Sequence, residues 1–323
     1  MAVSLDAPQA AVYHAWLLRQ DEGMHDQPTQ HYFQASGARI CYFEWGNPGD
    51  PSVVLLHATG FHARCWDQVI ANLPAAHHVI AVDMRGHGRS EKVAPYIWGT
   101  LAQDVRELVE HLHLRETVGV GHSLGGHCMV QVAADLTDSF TRLVLVDPVI
   151  FAPEVYGVNL HPRFPNPEDF PVARRHNRWV SWEAMYQRFE NRKPFSLWKT
   201  EALVDYCRYG VVLRKNAEEY ELACPPVVEA SIYLANTQTD IHHRIPEIEM
   251  PVVVLRAESR LLGAVPEMDF SKSPTWPGLA GSFPQGRDVY LPHLTHFIPM
   301  QDPGLVARFI VDENASFDST TGE

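Results

Sequence analysis

The sequence predicts an α/β fold: a mostly parallel central sheet of about eight strands, flanked by helices, with a helical segment inserted after the sixth strand. Three observations carry that prediction. Short unbroken apolar runs alternate with longer helical patterns up to residue 150, the rhythm stops between residues 151 and 247, and it resumes from residue 251. Unbroken apolar runs suit strands covered on both faces, and such strands belong to parallel sheets sandwiched between helices.

Taken in order, residues 8–20 bring Val12, Trp16 and Leu17 near helical spacing and predict a short arm helix. Residues 31–35 and 38–45 are rich in aromatic and β-branched side chains, and Ser36-Gly37 between them predicts a hairpin. Apolar runs at 52–57, 78–83, 117–123 and 142–147 read as strands, with helices at 98–114 and from the end of the third run through Ala134. Residues 151–247 are rich in Pro, Arg, Trp and Tyr, with helical patterns at 182–190, 199–209 and 226–236 and no strand. Strands at 251–255 and 288–291 and a helix at 304–311 complete the chain, leaving a polar tail at 313–323. The expected organisation is a core domain from 1–150 and 248–323 with a helical cap at 151–247.

The 323 residues include 46% hydrophobic and 20% charged, the balance of an ordinary globular protein. A net charge of −13 argues against nucleic acid, which needs a basic surface. The one basic cluster, Arg174-Arg175-His176-Asn177-Arg178, reads as a solvated helix face. The five cysteines form no C-x-x-C pair, the N-terminus has no basic leader, and no apolar run reaches the roughly 18 residues of a membrane span. The expectation is a cytoplasmic protein with reduced thiols and a small-molecule substrate; a homodimer is left open.

The strongest chemical signal is Gly121-His122-Ser123-Leu124-Gly125, a G-x-S-x-G between a buried strand and a helix. A nucleophilic serine on such a tight turn needs glycine flanks, because side chains there would collide with neighbouring backbone; Gly126 adds a third small residue. A serine hydroxyl needs a base, and His296, after the last strand and before the last helix, is the candidate. His293 competes, but only His296 is followed directly by the apolar Phe297-Ile298-Pro299 that would seal a site. The adjacent pairs His77-His78 and His242-His243 point in different directions on any regular element, and with no H-E-x-x-H present no metal site and no cofactor are predicted.

Four blocks in order resemble the α/β-hydrolase family: His57-Ala58-Thr59-Gly60-Phe61-His62 before Trp66, Asp83-Met84-Arg85-Gly86-His87-Gly88-Arg89-Ser90, the Ser123 turn and the His296 segment. The resemblance implies an oxyanion hole from the Leu124 amide and, counting from His57, the Thr59 amide, with Gly60 as the alternative second donor. Ala58 departs from the usual glycine. His57, Arg85 and Trp66 resemble positions that brace these loops. The family's acid usually follows the strand after the cap, where this chain has Arg260; the acid is expected at Asp147, with Glu258 as the alternative.

The resemblance implies a serine hydrolase that acts on a carboxylic ester or thioester through an acyl-enzyme. A carbon–carbon hydrolase or lactonase on the same triad, and a non-catalytic binding protein, are the alternatives. Relatives that open epoxides or remove halides use aspartate where this chain has Ser123.

Overall fold

The computed structural model describes residues 27–214, 218–259 and 270–317. The arm helix expected at 8–20, and Arg260, lie outside them. Eight strands form one sheet: β1 (Thr29–Gln34), β2 (Arg39–Trp45), β3 (Ser52–Leu56), β4 (His78–Asp83), β5 (Thr117–His122), β6 (Phe140–Val146), β10 (Val252–Ala257) and β11 (Gly286–Leu291). Their spatial order is β1-β2-β4-β3-β5-β6-β10-β11. β1 and β2 pair antiparallel, as does β2 with β4; every other pairing is parallel.

The two-residue period of the strands divides the core between the two faces. Val54, Leu56, Ile80, Val82, Leu143, Leu145, Val252 and Val254 pack with the helices Trp98–His111 and Leu124–Asp135. Their neighbours Val53, Leu55, Val79, Ala81, Val144, Val146, Val253 and Leu255 pack with Trp66, Val69 and the helix Pro303–Val311. The terminal helix starts at Asp302, whose carboxylate accepts from the Leu305 amide at 2.9 Å, a side-chain cap followed by proline in the first turn.

Residues between β6 and β10 contain the expected helices, Trp182–Phe189, Thr200–Tyr209 and Pro226–Leu234. They also contain a small antiparallel sheet that the sequence did not predict: β7 (Arg178–Trp179), β8 (Val211–Leu213) and β9 (Tyr220–Leu222), in the order β7-β9-β8. Strands of two and three residues are too short to display a period. The basic cluster needs the same correction, since Arg178 belongs to β7 and Arg175 pairs with the buried Glu229 instead of lying on a solvated helix. The insert is seated on the loops at the carboxyl ends of the strands, where Trp198, Leu203 and Tyr206 pack with Ala58, Phe61, Phe297 and Met300.

The block at 83–90 acts as a brace. Asp83 accepts from the amides of Ala63 and Arg89, each at 2.7 Å, tying the loop after β3 to the loop after β4. Arg85 donates through Nε and Nη2 to the two oxygens of Asp104, both at 2.7 Å, with each side chain almost wholly buried. Removing one partner of such a pair leaves an uncompensated buried charge, so Asp104→Ala is expected to cost about 3–5 kcal/mol. Urea unfolding followed by far-UV circular dichroism reads that loss directly.

Candidate active site

The sharp turn at Ser123 follows from the space available to it. A Cβ on Gly121 would lie 2.3 Å from the carbonyl oxygen of Gly125, and one on Gly125 would lie 2.2 Å from that of Leu56 in β3. A Cβ on Gly126 would meet the Pro148 side chain at 2.6 Å. With those side chains absent, the helix after β5 starts against its neighbours and Ser123 takes φ 58°, ψ −118°, a conformation that L-residues rarely adopt. Hydrogen bonds hold it there: the Ser123 amide donates to Val146 O at 3.1 Å, and its carbonyl accepts from Val149 N at 3.1 Å.

Asp147 follows β6, the strand beside β5, and also has positive φ, 43°. Its amide donates to Leu255 O at 2.7 Å. Its carboxylate is fully buried and shared between three donors. Oδ1 accepts from the Ala257 amide at 2.9 Å and the Ser273 hydroxyl at 2.7 Å, while Oδ2 accepts from His296 Nδ1 at 2.7 Å. The bond to Oδ2 fixes the His296 proton on Nδ1 and leaves Nε2 as an acceptor, 3.0 Å from Ser123 Oγ. Ser123 and His296 are 5% and 4% exposed. Glu258, the alternative acid, lies elsewhere: its side chain is 49% exposed and pairs with Lys272. His293 stacks on Phe317 at 4.9 Å.

Neutral histidines support the site. His122 donates from Nε2 to the His296 carbonyl at 2.7 Å, and burial pushes its pKa well below the usual imidazole value. His57 donates from Nδ1 to Ala58 O at 2.8 Å and accepts from the Met84 amide at 3.1 Å, with burial again pushing its pKa down. His87 accepts from the Gly60 amide at 3.0 Å, and burial holds it well below the usual range. Gly60 N–H is therefore already committed, whereas the amides of Thr59 and Leu124 have no partner among the described residues. Among those residues no group of three or more His, Cys, Asp or Glu side chains is placed to hold a metal ion, and all five cysteines are buried and unpaired.

Two cavities open onto Ser123. Both are lined by Thr59, Ser123, Tyr233, Phe270 and His296. One, of about 650 Å³, runs past Trp98, Phe151, Leu160 and Phe170. The other, of about 810 Å³, is walled by Phe61, Phe189, Phe195, Phe297, Arg175 and Tyr206. Of the aromatic residues between β6 and β10, Phe151, Phe170, Phe189, Phe195, Tyr206 and Tyr233 reach a cavity wall. Arg175 and Glu229 were not among the sequence-predicted site residues; nothing in the spacing of the basic cluster distinguished the one arginine that turns inward.

Comparison with known proteins settles the family. The profile of the alpha/beta hydrolase family matches residues 53–309. The chain belongs to that family. The uncharacterized hydrolase YugF of Bacillus subtilis is 25% identical over 288 residues, 87% of this chain and 96% of that protein. A soluble epoxide hydrolase of Corynebacterium is 37% identical, but over 127 residues, 39% of this chain and 44% of its own length. Among solved structures, the alpha/beta hydrolase fold is shared with E-2-(acetamidomethylene)succinate hydrolase, at TM-score 0.70, 20% identity and coverage of 88% of this chain and 98% of that one. These relatives support a hydrolase and leave its substrate open.

The steric account of the turn gives a paired test. Gly125→Ala forces a Cβ against the Leu56 carbonyl and is expected to destabilise by more than about 3 kcal/mol or to prevent soluble folding. Gly281→Ala, where an added Cβ meets nothing within 4 Å, should leave the melting temperature within about two degrees of the parent.

Proposed function

We propose that this chain is a serine hydrolase that cleaves an ester-like small-molecule substrate, a carboxylic ester or thioester, through an acyl-enzyme. One observation carries the reading: the His296 imidazole is bonded on one side to Asp147 and on the other to Ser123 Oγ, with both distances within hydrogen-bond range. In this reading Ser123 Oγ attacks the carbonyl carbon while its proton passes to His296 Nε2. Asp147 stabilises the imidazolium that forms, and the amides of Leu124 and Thr59 hold the oxyanion. As the tetrahedral intermediate collapses, His296 returns the proton to the departing alcohol or thiol. Water then attacks the acyl-serine, gives its proton to His296, and releases the carboxylic acid with the serine hydroxyl restored.

Residues 151–247 act as a cap in this proposal. Phe170, Arg175, Phe189, Phe195, Tyr206 and Tyr233 all come from that segment and line the cavities at Ser123, which favours a substrate enclosed on both sides of its scissile bond.

Intact mass spectrometry after incubation with a fluorophosphonate tests the assignment. A single adduct is expected on the unmutated protein and none on Ser123→Ala. Labelling of Asp147→Asn should be slower by a factor of about 10³ or more, since the His296 tautomer is no longer fixed, while Glu258→Gln should label at the parent rate. Absence of an adduct on the unmutated protein, or labelling that survives Ser123→Ala, removes Ser123 as the nucleophile.

A further inference from the structure

The larger cavity carries a feature that the proposed hydrolytic cycle does not use. Arg175 and Glu229 form an ion pair of 2.5 Å on its wall, with only 5% of the Glu229 side chain exposed. Arg175 also donates from Nη2 to the Tyr206 hydroxyl at 3.1 Å. The remaining wall is mostly apolar, with Phe61, Phe189, Phe195 and Phe297 among its residues, and also carries Tyr233. Placing an ion pair in such surroundings costs desolvation that apolar packing would avoid. Tyr206 is itself 4% exposed and uses its oxygen as an acceptor; its O–H proton has no acceptor among the described residues.

Charge matching selects what this proton can meet. Glu229 already balances the Arg175 charge, so a second carboxylate would gain no net attraction and would face the Glu229 oxygens. A neutral oxygen incurs no such repulsion. A phenol that accepts from a guanidinium is in turn a stronger donor, because hydrogen bonds in a chain polarise one another.

We propose that the larger cavity binds an uncharged aromatic or alicyclic part of the substrate bearing a carbonyl or ether oxygen, and that the Tyr206 hydroxyl, set by Arg175, donates to that oxygen. Tyr206 and Arg175 then determine specificity: an analogue lacking the oxygen leaves the Tyr206 donor buried and unmatched. The inference rests on the hydrolytic reading for the identity of the scissile bond, but not for binding.

Calorimetry on Ser123→Ala, which removes the proposed nucleophile, tests it with matched ligands. One pair carries the oxygen in the alcohol half, 4-(methoxymethyl)benzyl acetate against 4-propylbenzyl acetate. The second carries it in the acyl half, methyl 4-(methoxymethyl)phenylacetate against methyl 4-propylphenylacetate, and 4-(carboxymethyl)benzyl acetate is the anionic probe. In one of the two pairs the ether is expected to bind about tenfold tighter than its hydrocarbon partner. Adding Tyr206→Phe should bring that ratio to about one, Arg175→Gln should shrink it, and the carboxylate should bind more weakly than the ether. The proposal is overturned if neither pair is distinguished, if none of the five ligands binds, if the ratio survives both second substitutions, or if the carboxylate binds best. Should Tyr206→Phe fail to fold, Arg175→Gln decides. No turnover is required, so a failed phosphonate labelling and a failed ligand ratio are separate results.

Discussion

The arrangement of the site depends on how closely three stretches of backbone pass one another at Ser123. Gly121, Gly125 and Gly126 leave room for that approach, and a single Cβ at any of the three would collide with a neighbour. The close approach holds Ser123 at positive φ, a conformation that costs on the order of 1–3 kcal/mol and persists only when the surroundings over-determine it. Here they do, through β3 on one side, β6 on the other and the helix that starts at Leu124. The position of Asp147 then follows from strand register. His122 is paired with Val146 in the parallel β5–β6 ladder, so the residues next in sequence, Ser123 and Asp147, leave the sheet side by side. Within this geometry His296 needs only to arrive from the loop after β11 to lie between them.

The parts of the fold governed by local pattern were legible in the sequence. The buried strands read as apolar runs because both faces are covered, and the G-x-S-x-G read as a turn because its neighbours are a strand and a helix. The choice between Asp147 and Glu258 was not legible in the same way. It turns on which side chain reaches His296 across the sheet, and that depends on the register of β6 against β5 and β10, which one sequence does not display. Once the strands are paired, Asp147 Oδ1 meets the Ala257 amide and Oδ2 meets His296, while Glu258 turns to Lys272 at the surface. The small sheet of the insert escaped for a different reason: Arg178–Trp179 and Tyr220–Leu222 are ordered by pairing with each other, not by any periodicity of their own. Arg175 was hidden among other arginines, and only the buried carboxylate of Glu229, more than fifty residues later in sequence, sets it apart.

Electrostatics around His296 obey a constraint of their own. In the proposed cycle His296 becomes a cation, and a second positive charge close by would oppose that step. His122 lies beside it, tilted, with ring centroids 5.0 Å apart, and His57 and His87, 4.8 Å from each other, hydrogen-bond to the loop that carries Thr59. Each could be a competing cation in water. Burial depresses all three, so they remain neutral imidazoles with one donor and one acceptor apiece. His57 uses both, spanning Ala58 O and the Met84 amide, while His87 accepts from Gly60. The same desolvation that would make these rings poor acids and bases makes them rigid brackets. Among the described residues Asp147 is the carboxylate bonded to His296 and the Thr59 amide has no competing partner, so in the proposed cycle the charge that develops at Ser123 meets groups already in place.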